Sequence, residues 1–163
     1  MKSYELFALI PTKLATEIVD DMFEVDRPTY RATLEAVAKA RKVRTVFLER
    51  QPRSQRHETM VAALSRPATD LVADTMLRSW LLKKHTPLLC EFLDHLKIEH
   101  ENGVVENLPE SVEEETLKAA VDQLLAKHRP DIVALYLTAF NELNESRWAS
   151  LDNLLQSDPR LSL

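Results

Sequence analysis

Residues 81–93 read LLKKHTPLLCEFL, and residues 124–137 read LLAKHRPDIVALYL. Leu, Leu, Lys, His and Pro recur at matching places, 43 residues apart. Each part of the shared Lys-His-x-Pro has a local cause. A cation in a last helical turn meets the negative end of the helix dipole. Proline lacks an N–H, so it suits the first turn of a new helix, and it disfavours helix in the residue before it. The stretch is therefore a helix stop followed at once by a helix start. A duplicated site would need His85 and His128 to converge, and their spacing does not require it. A 43-residue period also lies in the window of helical solenoid repeats, about 40–47 residues. The match decays outside the junction, where Pro67 falls opposite Glu110 and Arg78 opposite Val121. Two copies are also fewer than a solenoid needs. The repeat is best read as the way this chain joins its helices.

Helical periodicity extends outward from the junctions. Leu14, Ile18, Met22 and Val25 share a face, with Thr12 as a cap. Pro28 opens a helix carrying Tyr30, Leu34, Val37 and Ala38, which can run on through Val43, Val46 and Phe47. Arg50–Arg56 is a loop, after which Ser54 can cap a helix with Met60, Val61 and Leu64 on its buried side. Pro67 starts a helix with a wide apolar set, Leu71, Val72, Met76, Leu77, Trp80 and Leu81. Thr86-Pro87 opens the next. Asn102-Gly103 is a type I′ turn signal, compatible with a minor β-hairpin or with a plain loop. Ser111 with Glu114 spells a capping box, Pro130 starts another helix, and Ser146 can cap the last. The expectation is an all-α, compact, irregular bundle of about eight helices with Pro-marked junctions, forming a single helical domain over residues 1–163.

Composition narrows the function. Of 163 residues only one, Gly103, is glycine, where average usage of about 7% would give about eleven. Phosphate-cradling loops need several glycines, so a Walker loop and a dinucleotide fingerprint are excluded. The single cysteine, Cys90, forms no intrachain disulfide, which suits a cytoplasmic protein. No stretch approaches the roughly 20 apolar residues of a membrane span, so no membrane partner is expected.

Candidate chemistry is sparse. The densest group of ligand-type residues is Cys90, Glu91, Asp94, His95, Glu99, His100 and Glu101. It contains no E-x-x-H or H-E-x-x-H pattern, and Glu91, Asp94 and His95 lie opposite the leucine stripe of their helix. A solvated face is the reading its spacing favours, and no metal or cofactor is expected. No G-x-S-x-G elbow is present, and Cys90 lies among leucines, where a thiolate is disfavoured. Asp20 and Asp21 point in different directions along a helix. No catalytic residues are assigned, and the chain reads as non-enzymatic.

The basic segment is the best functional lead. Residues 27–90 hold 13 Lys and Arg against five acids, whereas residues 91–163 hold six against 15. Arg41, Lys42, Arg44, Arg50, Arg53 and Arg56 are the candidate anion- or partner-binding residues, because a guanidinium fork suits carboxylate or phosphate. Two readings follow. One is a cytoplasmic interaction or scaffold domain that associates with a protein partner or with itself. Its arginines meet the acidic C-terminal half, within the chain or across a dimer. The other is a nucleic-acid-associated protein that uses residues 39–66.

Overall fold

In a computed structural model describing residues 1–163 the chain is all-α. Ten α-helices occur: α1 Ser3–Leu9, α2 Thr12–Val25, α3 Arg27–Ala40, α4 Thr45–Glu49, α5 Arg53–Leu64, α6 Asp70–Lys84, α7 Thr86–His95, α8 Glu114–Lys127, α9 Pro130–Leu143 and α10 Ala149–Ser157. Short 3-10 turns at Pro67–Thr69 and Pro159–Leu161 complete the order. The chain divides into two compact units, Met1–Lys84 and His85–Leu163. The division falls inside the first Lys-His-x-Pro stretch. No glycine- or serine-rich linker marks it, so it leaves no trace in the composition.

Both junctions are helix stops followed by helix starts, but they differ in geometry. α6 gives way to α7 across His85 alone (φ −124°, ψ 20°), and Pro87 is the second residue of α7. α8 gives way to α9 across two extended residues, His128 and Arg129, and Pro130 is the first residue of α9.

The two helices beyond the expected eight have identifiable origins. α1 forms from the apolar patch near the N-terminus and buries Leu6 and Phe7. α4 is separate because α3 does not run on. Lys42 adopts a left-handed conformation (φ 57°), with Val43 N–H donating to Ala38 O and Lys42 N–H to Lys39 O. This is a Schellman stop, normally made by glycine. The same device ends α7, where Lys97 (φ 58°) donates to Asp94 O and Ile98 to Leu93 O. A chain with one glycine closes two helices with left-handed lysines. The glycine itself, with Asn102, makes the expected tight turn. Both have positive φ, and Glu101 and Val104 exchange two backbone hydrogen bonds in a single antiparallel bridge.

The four anticipated side-chain caps do not form. Pro11 and Pro52 occupy the cap positions of α2 and α5, so Thr12 and Ser54 already lie inside their helices. Trp148 donates to Pro109 O and Ser150 to Val112 O, and α8 begins late, at Glu114, without Ser111 as its cap. Trp148 likewise precedes α10 in place of Ser146. The working cap is Asp26, which accepts from Thr29 N–H at the start of α3.

In the first unit α1 and α3 pack on α6, and α2 packs on α3, α5 and α6. Contacts between elements so far apart in sequence close the unit into a bundle, unlike the nearest-neighbour stacking of a solenoid. Leu14, Ile18, Met22, Leu48, Met60, Leu64, Met76 and Trp80 form its core. Leu71, expected inside, is 80% exposed, because it lies two positions before buried Ala73 and faces the other side of α6. In the second unit α7 packs on α8, and α10 packs on α8 and α9. Residues 132–137 of α9 are all buried, so this helix runs through the centre of its unit. Trp148 is buried beside it, and Asn141 fixes it twice, accepting from Trp148 N–H and donating to Trp148 O.

Candidate functional site

The six basic residues singled out in the sequence separate into two groups. Arg41 and Lys42 occupy the turn after α3, Arg44 precedes α4, and Arg50 follows it. All four are exposed, and none is held by an ion pair. α4 has one anchor, buried Leu48, and it turns Val46 (44% exposed) and Phe47 (56% exposed) outward among these cations. The corner therefore combines unneutralised positive charge with apolar surface, a pairing typical of contact patches.

Arg53 and Arg56 lie on α5 and are engaged within the first unit. Arg53 pairs with Glu24 at 3.1 Å and more loosely with Asp20 at 3.8 Å. Its guanidinium stands over the Phe23 ring, 4.2 Å from the centroid, and that of Arg27 stands over the same ring at 3.6 Å. The acids Arg53 meets belong to α2, whereas the sequence suggested the acidic C-terminal half. The residues near position 20 carry enough negative charge for this, and the packing of α2 on α5 brings them within reach.

Arg56 belongs to a chain of hydrogen bonds that sequence reasoning missed. Its Nε donates to Tyr30 Oη at 2.9 Å, Tyr30 Oη lies 2.8 Å from His57 Nε2, and His57 Nδ1 lies 2.5 Å from Asp20 Oδ1. Proton accounting orients every link. The Asp20 carboxylate can only accept, so Nδ1 carries the imidazole hydrogen. Nε2 of the neutral ring then accepts from the Tyr30 hydroxyl, which in turn accepts from Arg56. The residues come from α2, α3 and α5, and the edge-on rings of Phe23, Tyr30 and His57 pack around the links.

Burial pushes the His57 pKa down and outweighs the opposing pull of Asp20. Burial likewise pushes Tyr30 up, against the lowering influence of Arg56, Arg53 and Arg27. Both directions keep the proton on the phenol and leave the imidazole neutral, so the chain is a fixed ladder and not a poised acid–base pair. One signal was available in the sequence. His57 lies in register with Met60, Val61 and Leu64, a titratable residue on a buried stripe. Its partners, 27 and 37 residues away, carried no mark.

A second polar cluster is structural. Asp26, 7% exposed, accepts from Thr29 N–H, Thr29 Oγ1, Ser79 Oγ and Lys83 Nζ. Burial alone would raise its pKa, but the bonds from Lys83, Ser79 and Thr29 prevail and hold the carboxyl far below the usual range. Asp20 and Asp21 diverge, Asp20 toward His57 and Asp21 toward Trp80 Nε1.

In the second unit the ligand-type residues disperse. His128 Nε2 lies 3.0 Å from Glu91, and His100 takes a hydrogen bond from Gly103 N–H and turns its Nε2 to Asp94. No group of three or more His, Cys, Asp or Glu side chains is placed to hold a metal ion. No helix is long and apolar enough to cross a membrane. No family model matches the chain, and no curated protein sequence or solved structure shows significant similarity to it.

Proposed function

We propose that the chain is a non-enzymatic helical interaction module that self-associates, the basic α4 corner of one copy meeting the acidic second unit of another. The observation that carries this reading is the set of four unpaired cations, Arg41, Lys42, Arg44 and Arg50, around outward-facing Val46 and Phe47. Charge supports the choice of partner. The first unit holds 15 Lys and Arg against 11 acids, net +4, and the second holds six against 15, net −9. Opposite charge steers the encounter and fixes the register, and the apolar pair supplies contact area. A contact between unlike patches is heterologous, so it grows with concentration into rings or chains. The lone Cys90 is compatible with a reducing cytoplasm. The locked Tyr30–His57 ladder supports a binding role over a catalytic one.

Light scattering at rising protein concentration tests this. The mass should increase with concentration at ~50 mM salt and fall back at ~500 mM, where the Debye length is only a few ångströms. Arg44→Glu with Arg50→Glu should hold the protein at monomer mass. A mass independent of concentration up to about 100 µM, or indifferent to both salt and charge reversal, would refute the reading.

Exposed Phe47 between Arg44 and Arg50 also favours a second reading, a nucleic-acid-associated protein using residues 39–66, because an aromatic amid cations is how single strands are stacked and held. Polarisation with a labelled single strand would then show affinity falling steeply with salt, and Phe47→Ser would weaken it.

A further inference from the structure

Beside the α4 corner lies a separate cleft of about 240 Å³, lined by Phe23, Arg27, Tyr30, Arg31, Leu34, Glu49 and Arg56. Three guanidiniums and one carboxylate give its wall a net charge of +2. The arginines are not equally committed. Arg31 is spent on Glu49 at 2.7 Å and Glu35 at 3.3 Å. Arg56 donates its Nε to Tyr30 and its Nη1 to Glu49 O, which leaves its Nη2 without a protein acceptor. Arg27 is held by its ring stack on Phe23 and by no ion pair, so its fork is free.

The cleft therefore presents two sets of unused guanidinium donors beside an apolar wall of Phe23 and Leu34. The Asp20–His57–Tyr30 ladder pins Arg56 from behind and reduces the entropy it would lose on binding. A surface arginine that only solubilises its helix needs no such support.

We propose that this cleft binds the dianionic phosphoryl group of a small phosphomonoester or of free phosphate, with Arg27 and Arg56 as its ligands and Tyr30 as the residue that positions Arg56. A dianion matches the net charge of the wall, whereas a lone carboxylate would leave one positive charge unmet. Tetrahedral oxygens also suit two forks approaching from different helices, α3 and α5. The volume admits a phosphoryl group with a few further atoms and excludes a nucleotide.

The intact protein is titrated with inorganic phosphate, O-phosphoserine and acetate, and binding is read by calorimetry and by NMR shifts of the arginine Nε–H signals. The first two ligands should saturate a single site with a Kd of about 0.1–1 mM, and acetate should bind at least ~10-fold more weakly. Tighter binding of phosphoserine than of phosphate identifies an ester as the ligand, and the reverse identifies free phosphate; both support the site. Arg27→Gln should weaken phosphate about 10-fold or more without shifting the melting temperature, since that side chain has no structural bond. Arg56→Gln should weaken it as well, and Arg27→Gln decides the matter if Arg56→Gln loosens the fold. Binding that never saturates, binding that acetate matches, or an equal loss from Arg44→Gln or Arg50→Gln would overturn the proposal. Those two controls lie on the self-association corner, so failure there leaves the cleft standing, and failure of the cleft leaves the corner standing.

Discussion

The two units are built from the same parts and specified differently. Each is a set of short helices joined at proline, closed around leucines and one buried tryptophan, Trp80 in the first and Trp148 in the second. The first unit is positive and ties its helices with charged and titratable groups: Asp26 to Lys83 and Ser79, Asp20 to His57, and His57 to Tyr30. The second is strongly negative and ties its centre with neutral donors, Asn141 and the Trp148 indole, on backbone carbonyls. Buried charge is costly unless every partner is present, but satisfied it discriminates sharply among packings. The first unit thus depends on pH where the second depends on shape.

The largest expected effect breaks the second unit. Trp148→Ala removes a fully buried indole and the donor to Pro109, and should cost about 3–5 kcal/mol, read as a drop in the urea midpoint. Asp26→Ala is its counterpart in the first unit. It strands Thr29 N–H and Ser79 and releases Lys83, and should cost about 2–3 kcal/mol in the same measurement. Asp26→Asn should fall between that and wild type.

Acid titration sharpens the contrast. The His57 pKa is depressed in the fold, so the unfolded chain takes up protons first as pH falls. Its contribution is complete above its ordinary value of about 6.5 and is lost as pH drops below it. The Asp26 carboxyl is also depressed, but its contribution is present above about 4 and is lost only in stronger acid. Unfolding free energy should therefore decline between pH 7 and 5 in wild type, and His57→Gln should flatten that slope. A slope that survives the substitution would mean that some other group carries it. The smallest effect should be the same in both units. Lys42→Gly and Lys97→Gly relieve a left-handed lysine at a Schellman stop, and each should gain about 0.5–1 kcal/mol.

Legibility followed the range of the physics involved. The Lys-His-x-Pro stretches gave correct helix boundaries because dipole and proline effects act within one turn. Asn102-Gly103 gave its turn for the same reason. The extension of α3 through Phe47 was misjudged, since a stop made by Lys42 in place of glycine has no sequence mark. Among the candidate site residues, Arg41, Lys42, Arg44 and Arg50 remain unpaired at one corner, while Arg53 and Arg56 are engaged on α5. The Tyr30 and Asp20 partners of His57 were out of reach of any spacing rule.

The sequence by itself determined that this chain is a set of tightly joined helices without a glycine cradle for phosphate, because glycine content, proline position and apolar period are local quantities. The tertiary structure alone decided where the chain divides, which acids claim Arg53, and how Asp20, Tyr30, His57 and Arg56 come to share one line of protons. Those outcomes depend on helices far apart in the chain packing face to face, and no residue's neighbours in sequence record which helix will cover it.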